Sequence, residues 1–178
     1  VSAALCGTTR RKQVEQAMKG DKKVIDYLNR GLRSELTAVS QYWLHYRMLH
    51  NWGFLDLAKY WRKESIEEMV HADKFIDRIL FLEGHPNLQV LDPLQIGQDV
   101  GEIIQSDLNA EIGARALYQE AASYCETVKD YPSRDLFIEL MTDEEGHIDF
   151  LETQQEIIKT IGLPLYIQKH MGPVGGDH

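Results

Sequence analysis

Long apolar runs are missing from this chain. No stretch approaches the roughly 20 consecutive apolar residues of a membrane-crossing helix, so no membrane span is expected. Basic charge is also short: 19 Lys and Arg stand against 28 Asp and Glu, a formal net charge of −9. A general nucleic-acid binder needs a basic face, which this balance does not supply. An acidic chain suits a protein that attracts small cations. Cysteine is nearly absent. Cys6 and Cys125 form no disulfide framework and lack metal-ligand spacing; they point to a reducing compartment, so a cytoplasmic location is the expectation. Only five prolines occur, which leaves long stretches free to be helical.

What is present is helical periodicity. The 178 residues, 43% of them hydrophobic, suffice for one domain with a full core. Leu28, Leu32, Glu35, Val39, Tyr42 and Tyr46 lie on one face of a first helix, ended by Asn51-Trp52-Gly53. A second helix is expected from about Asp56 to Glu83, with Trp61, Glu64, Glu68, His71 and Phe75 in its stripe; Gly84 and Pro86 stop it. Residues 85–97 lack periodicity and predict a long crossover. In the third helix Ile104, Leu108, Glu111 and Tyr118 are in register, and Ala114 replaces Arg115 in the stripe. Tyr131-Pro132-Ser133 predicts a short turn, with Ser133 as the N-cap of a fourth helix carrying Phe137, Leu140, Glu144, His147 and Leu151. Gly162 is the expected C-cap, and Pro164 opens a short fifth helix. The expected fold is all-α: two helical hairpins joined by one long crossover in a four-helix bundle, plus the short C-terminal helix.

Residues 1–17 stand apart. They hold Arg10, Arg11 and Lys12 with no acid before Glu15, and Val1–Cys6 is too short and broken for a secretory core. A weakly transit-like or mis-started segment is expected there, a mobile, disordered extension; 18–171 are expected to form the domain, and 172–178 a flexible tail.

The chemistry lies in a duplication. Glu68-Met69-Val70-His71 and Glu144-Glu145-Gly146-His147 are two Glu-x-x-His motifs 76 residues apart. Glu35 and Glu111 are also 76 apart, and each precedes its motif by 33 residues. Residues three apart on a helix share a face, so each Glu and His can reach one ion. A single Glu-x-x-His usually marks a solvated face. Here two copies recur, each with a core-facing glutamate at one offset, and no other histidine has a glutamate three residues before it. Four carboxylate charges neutralise two ferrous ions, as a low-dielectric interior requires. Mixed imidazole and carboxylate ligands suit iron better than magnesium or calcium; zinc and manganese remain chemically compatible. The duplication extends to Tyr42 and Tyr118, each seven residues after its lone glutamate. They are either core tyrosines or donors of a hydrogen bond or an electron to the site. Glu67 and Asp143 are either solvated acids or acceptors of the free imidazole N–H on the facing helix.

Several segments resemble bacterioferritin: Met18-Lys19-Gly20-Asp21, Leu32-Arg33-Ser34-Glu35-Leu36, Glu67 to Asp73, Arg78 to Gly84, Pro86 to Gln89 and Asp143 to Asp149. The resemblance covers about Met18 to Met171 and implies a ferritin-like di-iron domain over 18–171. It implies iron storage and iron homeostasis in a hollow cage of 24 subunits, with ferroxidase activity that turns Fe(II) into stored Fe(III) mineral. By the resemblance Glu35 and His71 are terminal ligands of one iron, Glu111 and His147 of the other, and Glu68 and Glu144 bridge. The oxidant would be oxygen or hydrogen peroxide, and a small iron–sulfur ferredoxin the reductant for iron release.

Met69 breaks the internal symmetry, since its counterpart is Glu145. It is turned off the bundle centre, with Ile76 and Leu80 in the same direction; Leu36 and Trp43 form a similar pair on the first helix, a pattern that suggests a subunit interface. A lone methionine usually packs. The resemblance implies instead that Met69 from each of two subunits ligates a shared haem b. Lys63 stands where some relatives carry a histidine for an inner-surface iron, so no third site is expected. Asn51, Glu83, Asp149 and Glu156 resemble residues of an iron entry pore, or are plain surface. Three other readings compete. A rubrerythrin-like oxidase would carry a Cys-x-x-Cys module, which is missing. A haem electron-transfer bundle would leave the duplication unexplained, and a cage subunit without oxidation would lack ligands.

Overall fold

The structure, a computed structural model, describes residues 19–171. The expected N-terminal extension and the tail therefore lie outside the described residues. Five helices follow one another: α1 (Lys22–Asn51), α2 (Leu55–Phe81), α3 (Val100–Thr127), α4 (Tyr131–Ile161) and α5 (Leu163–Lys169). The first pairs with the second and the third with the fourth, so the two hairpins and the crossover are as expected.

Side-chain caps set most of the helix starts. The Asp21 carboxylate accepts from the Lys23 and Val24 amides at 2.8 and 3.1 Å and opens α1. Asp99 accepts from Glu102 N at 2.9 Å, and the Glu102 carboxylate reaches back to Gln98 N at 2.8 Å, closing a variant of the capping box at α3. At α4 the structure corrects one expectation. The cap is Asp130, not Ser133; Asp130 accepts from the Ser133 amide at 3.1 Å and from its hydroxyl at 2.8 Å, and Ser133 lies inside the helix. Asp130 also takes the Arg78 guanidinium at 2.7 Å, tying the ends of α2 and α4 together. Gly162, at φ 83°, provides the left-handed turn between α4 and α5.

The crossover is strapped to α1. Its backbone amides at Asn87, Asp92, Gln95 and Gly97 donate to the side chains of Asn29, Thr37, Gln41 and His45 at 2.8, 2.9, 2.7 and 3.2 Å. Four acceptors along one face of a helix satisfy a segment that has no ladder of its own.

Two apolar clusters fill the bundle. One gathers Leu28, Leu32, Phe75, Tyr118 and Phe137; the other gathers Leu49, Trp61, Ile104, Leu108 and Tyr166. Ala114 is buried, while Arg115 turns outward to Glu145 at 2.9 Å. Between the two clusters each long helix carries at least one buried acid, and α2 and α4 each add a histidine.

Candidate metal centre

Four helices each bring their polar residues to this middle layer: Glu35 from α1, Glu68 and His71 from α2, Glu111 from α3, Glu144 and His147 from α4. All six are buried, with His147 the most exposed at 9%. The His71 Nδ1 lies 3.0 Å from Glu68, 3.7 Å from Glu144 and 3.9 Å from Glu35. The His147 Nδ1 lies 3.1 Å from Glu144, 3.2 Å from Glu68 and 3.7 Å from Glu111. The atoms fall into two groups, Glu35-Glu68-His71-Glu144 and Glu68-Glu111-Glu144-His147, each with its ligand atoms within 4.8 Å of one another. Glu68 and Glu144 belong to both.

Each tyrosine reaches across to the other half. The Tyr42 hydroxyl donates to Glu111, and the Tyr118 hydroxyl donates to Glu35. The acids behind the imidazoles are less symmetric. Asp143 stands 3.4 Å from the His71 Nε2, on the facing helix as expected. Behind His147 it is Glu64, at 3.1 Å from Nε2; Glu67 bonds Lys63 at 2.8 Å instead. Position 64 lies one turn before Glu68 on the same face, whereas position 67 is rotated toward the rim. Lys63 also bonds Glu64 at 3.1 Å.

The electrostatics are those of a site built for cations. Glu35 and Glu144 sit well above the ordinary carboxyl range because burial disfavours their charge and neighbouring glutamates add to it; Glu68 is raised for the same reasons. Burial acts on Glu111 too, but hydrogen bonds from Glu144 and His147 outweigh it and hold Glu111 low. Burial opposes a charge on His147, yet its contacts to Glu111, Glu144 and Glu68 raise it. One oxygen each of Glu68 and Glu144 is buried without a hydrogen-bond partner. Orphaned buried carboxylate oxygens are costly unless a cation meets them. The donor set and these orphans fit a pair of metal ions.

A cleft of about 480 Å³ between α1 and α3, beneath the crossover, reaches Glu35, Glu68, Glu111 and Glu144. Ala38, Ala110 and Gly113 keep it open, and the Arg33–Asp92 ion pair stands among its lining residues. Met69 lies on the outer side of α2, 49% exposed, near Ile66 and with Leu80 further along the helix; Trp43 of α1 is exposed too.

Comparison with known proteins agrees with this geometry. Residues 25–161 match the ferritin-like domain model. The chain is 56% identical to a bacterioferritin of Brucella melitensis over 88% of its own length and 97% of the relative's. It is 59% identical to that of Rhodobacter capsulatus over 82% and 90%. The chain belongs to the bacterioferritin family. A solved R. capsulatus bacterioferritin, described with a metal-free dinuclear site and a haem iron, superposes with a TM-score of 0.89 at 54% identity, covering 90% of this chain and all of that one. The bacterioferritin fold expected from the sequence, with its short fifth helix, is thus the observed one.

Two parts of this bacterioferritin site escaped the sequence. Glu64 was visible only as a member of the α2 stripe. Asp107, buried and bonded to Gln41, His45 and Trp61, carries no motif of its own. The available signal was its position one turn before Glu111, on the same side of α3.

Proposed function

We propose that this bacterioferritin-family chain stores iron, oxidising Fe(II) to Fe(III) at a di-iron centre within each subunit and keeping the product as ferric mineral inside a cage of its own copies. The carrying observation is the pair of overlapping buried groups that share Glu68 and Glu144. Glu35 and His71 would hold one ion, Glu111 and His147 the other, with Glu68 and Glu144 bridging. The ions would replace the protons that burial keeps on the carboxyls, so the loaded site is neutral. When bound, the iron pair supplies the redox chemistry, passing electrons to oxygen or hydrogen peroxide.

The protein's part is geometry and charge. Tyr42 and Tyr118 hold Glu111 and Glu35 in place through their hydroxyls. With Nδ1 turned to the metals, each Nε2–H faces an acid, Asp143 or Glu64, which fixes ring orientation. The α1–α3 cleft gives small reactants a way in.

Met69 would ligate a haem b shared with a second copy. Its exposed thioether on an apolar outer face supports this, and a thioether is an established axial ligand type. A ferredoxin reductant for iron release and a cytoplasmic setting complete the proposal. Among the described residues no helix is long and apolar enough to cross a membrane.

Anaerobic protein given Fe(II) and then air should oxidise it rapidly, followed by absorbance. Glu68→Ala removes a ligand common to both ions and should slow the reaction by at least about tenfold. Oxidation at the buffer rate in both proteins would remove the ferroxidase assignment.

A further inference from the structure

Beside the metal centre lies a buried anion that the chemistry above does not use. Asp107 is 1% exposed and accepts three hydrogen bonds: from Gln41 Nε2 at 2.7 Å, His45 at 2.9 Å and Trp61 Nε1 at 2.6 Å. The Gly97 amide donates to the His45 Nε2, so Nδ1 carries that ring's proton and donates to Asp107. Burial raises the Asp107 pKa, but the three donated hydrogen bonds oppose it and favour the carboxylate, with no cation against it. An unpaired buried charge costs several kcal/mol in general, and such a cost calls for a use.

Trp61 is where that charge is felt. Its ring is 2% exposed, and its N–H points at the Asp107 Oδ2. Trp61, Asp107, Tyr42, Glu64, Glu111 and His147 line one narrow void, too small to hold bulk water, so the indole shares a cavity wall with two of the proposed iron ligands. Tyr60 packs on Trp61 in a T-shaped pair with ring centroids 5.4 Å apart. A negative charge in contact with an indole eases removal of an electron, and a hydrogen-bonded carboxylate can take the N–H proton as the electron leaves.

We propose that Trp61 is a one-electron donor to the iron pair, with Asp107 as its proton acceptor. The inference rests on the ferroxidase reading. Reduction of dioxygen to two waters takes four electrons and four protons, the protons coming from solvent. Two Fe(II) ions supply two, Trp61 supplies a third, and a further Fe(II) the fourth. Trp61 becomes a neutral indolyl radical, its proton moves to the Asp107 Oδ2, and later Fe(II) returns the electron while Asp107 returns the proton.

The test loads metal-free protein anaerobically with two Fe(II) per subunit, mixes it with dioxygen, freezes it in the first turnover and records EPR spectra. Iron oxidation is followed in parallel. Protein carrying ring-deuterated tryptophan assigns the signal without any substitution. A radical that narrows on deuteration is expected, lost in Trp61→Phe and kept in Trp43→Phe and Trp52→Phe. Iron oxidation with no such signal, or with one that survives Trp61→Phe or resides on Tyr42, overturns the donor role and leaves the ferroxidase reading intact. Iron oxidised only at the buffer rate overturns that reading and the donor role with it. Flash photo-oxidation of the metal-free protein reads the proton step without iron. The neutral indolyl radical is expected in the unaltered protein and the protonated one in Asp107→Asn. Identical spectra overturn Asp107 as acceptor.

Discussion

Burial and mutual repulsion lift Glu35, Glu68 and Glu144 above the carboxyl range, and the surrounding acids lift His147. Folding therefore retains protons that an unfolded chain gives up. For groups with raised folded pKa, that stability is fully present below the unfolded value and is lost as pH rises through the folded one. Glu111, held low, works the other way, as one group against four. The metal-free protein should lose thermal stability as pH rises above the ordinary carboxyl range, and a redox-inert divalent ion such as Zn(II) should abolish the decline. Scanning calorimetry with and without Zn(II) measures this; stability that rises with pH in the metal-free protein would contradict it. The six proposed ligands were legible in the sequence because the 76-residue duplication repeats them. Glu64 and Asp107 were not. A single acid gains a role only from what the neighbouring helices place against it, here the His147 Nε2 and the Trp61 N–H.

Helix lengths and order followed from periodicity, but the ends depended on contacts. Ser133 has the residue type of an N-cap, yet Asp130 takes that place because Arg78 of α2 anchors its carboxylate and Ser133 already lies within the helix. Asp130→Ala should therefore cost about 2 kcal/mol, from the lost cap and the lost half-buried ion pair. Ser133→Ala should cost less, because the Asp130 carboxylate still caps the helix; denaturant unfolding of the two variants gives the order. The crossover illustrates the same limit. Its lack of periodicity announced a connection, but its capture by Asn29, Thr37, Gln41 and His45 of α1 was hidden, since the acceptors lie more than 50 residues away in sequence.

Across the whole molecule, two apolar clusters enclose a polar middle layer, and a second apolar stripe with Trp43, Ile66, Met69 and Leu80 faces outward. An apolar stripe of this kind suits burial against another copy. Gel filtration of the 20.5 kDa chain should show a particle of roughly half a megadalton if the family's cage forms. A monomer peak would leave the stripe unexplained. Met69→Leu should abolish a bis-thioether haem spectrum while leaving Fe(II) oxidation within about twofold, because Met69 projects away from the acids. The sequence by itself determined the all-α bundle, its hairpins and the acid–imidazole duplication, because spacing along a helix sets direction around that helix's own axis. Only the tertiary structure decided that Tyr42 holds Glu111 and Tyr118 holds Glu35, that Glu64 and not Glu67 backs His147, and that Trp61 meets Asp107. Those pairings depend on how each helix is rotated and shifted against its neighbours, which packing of the two apolar clusters fixes and no spacing within one helix records.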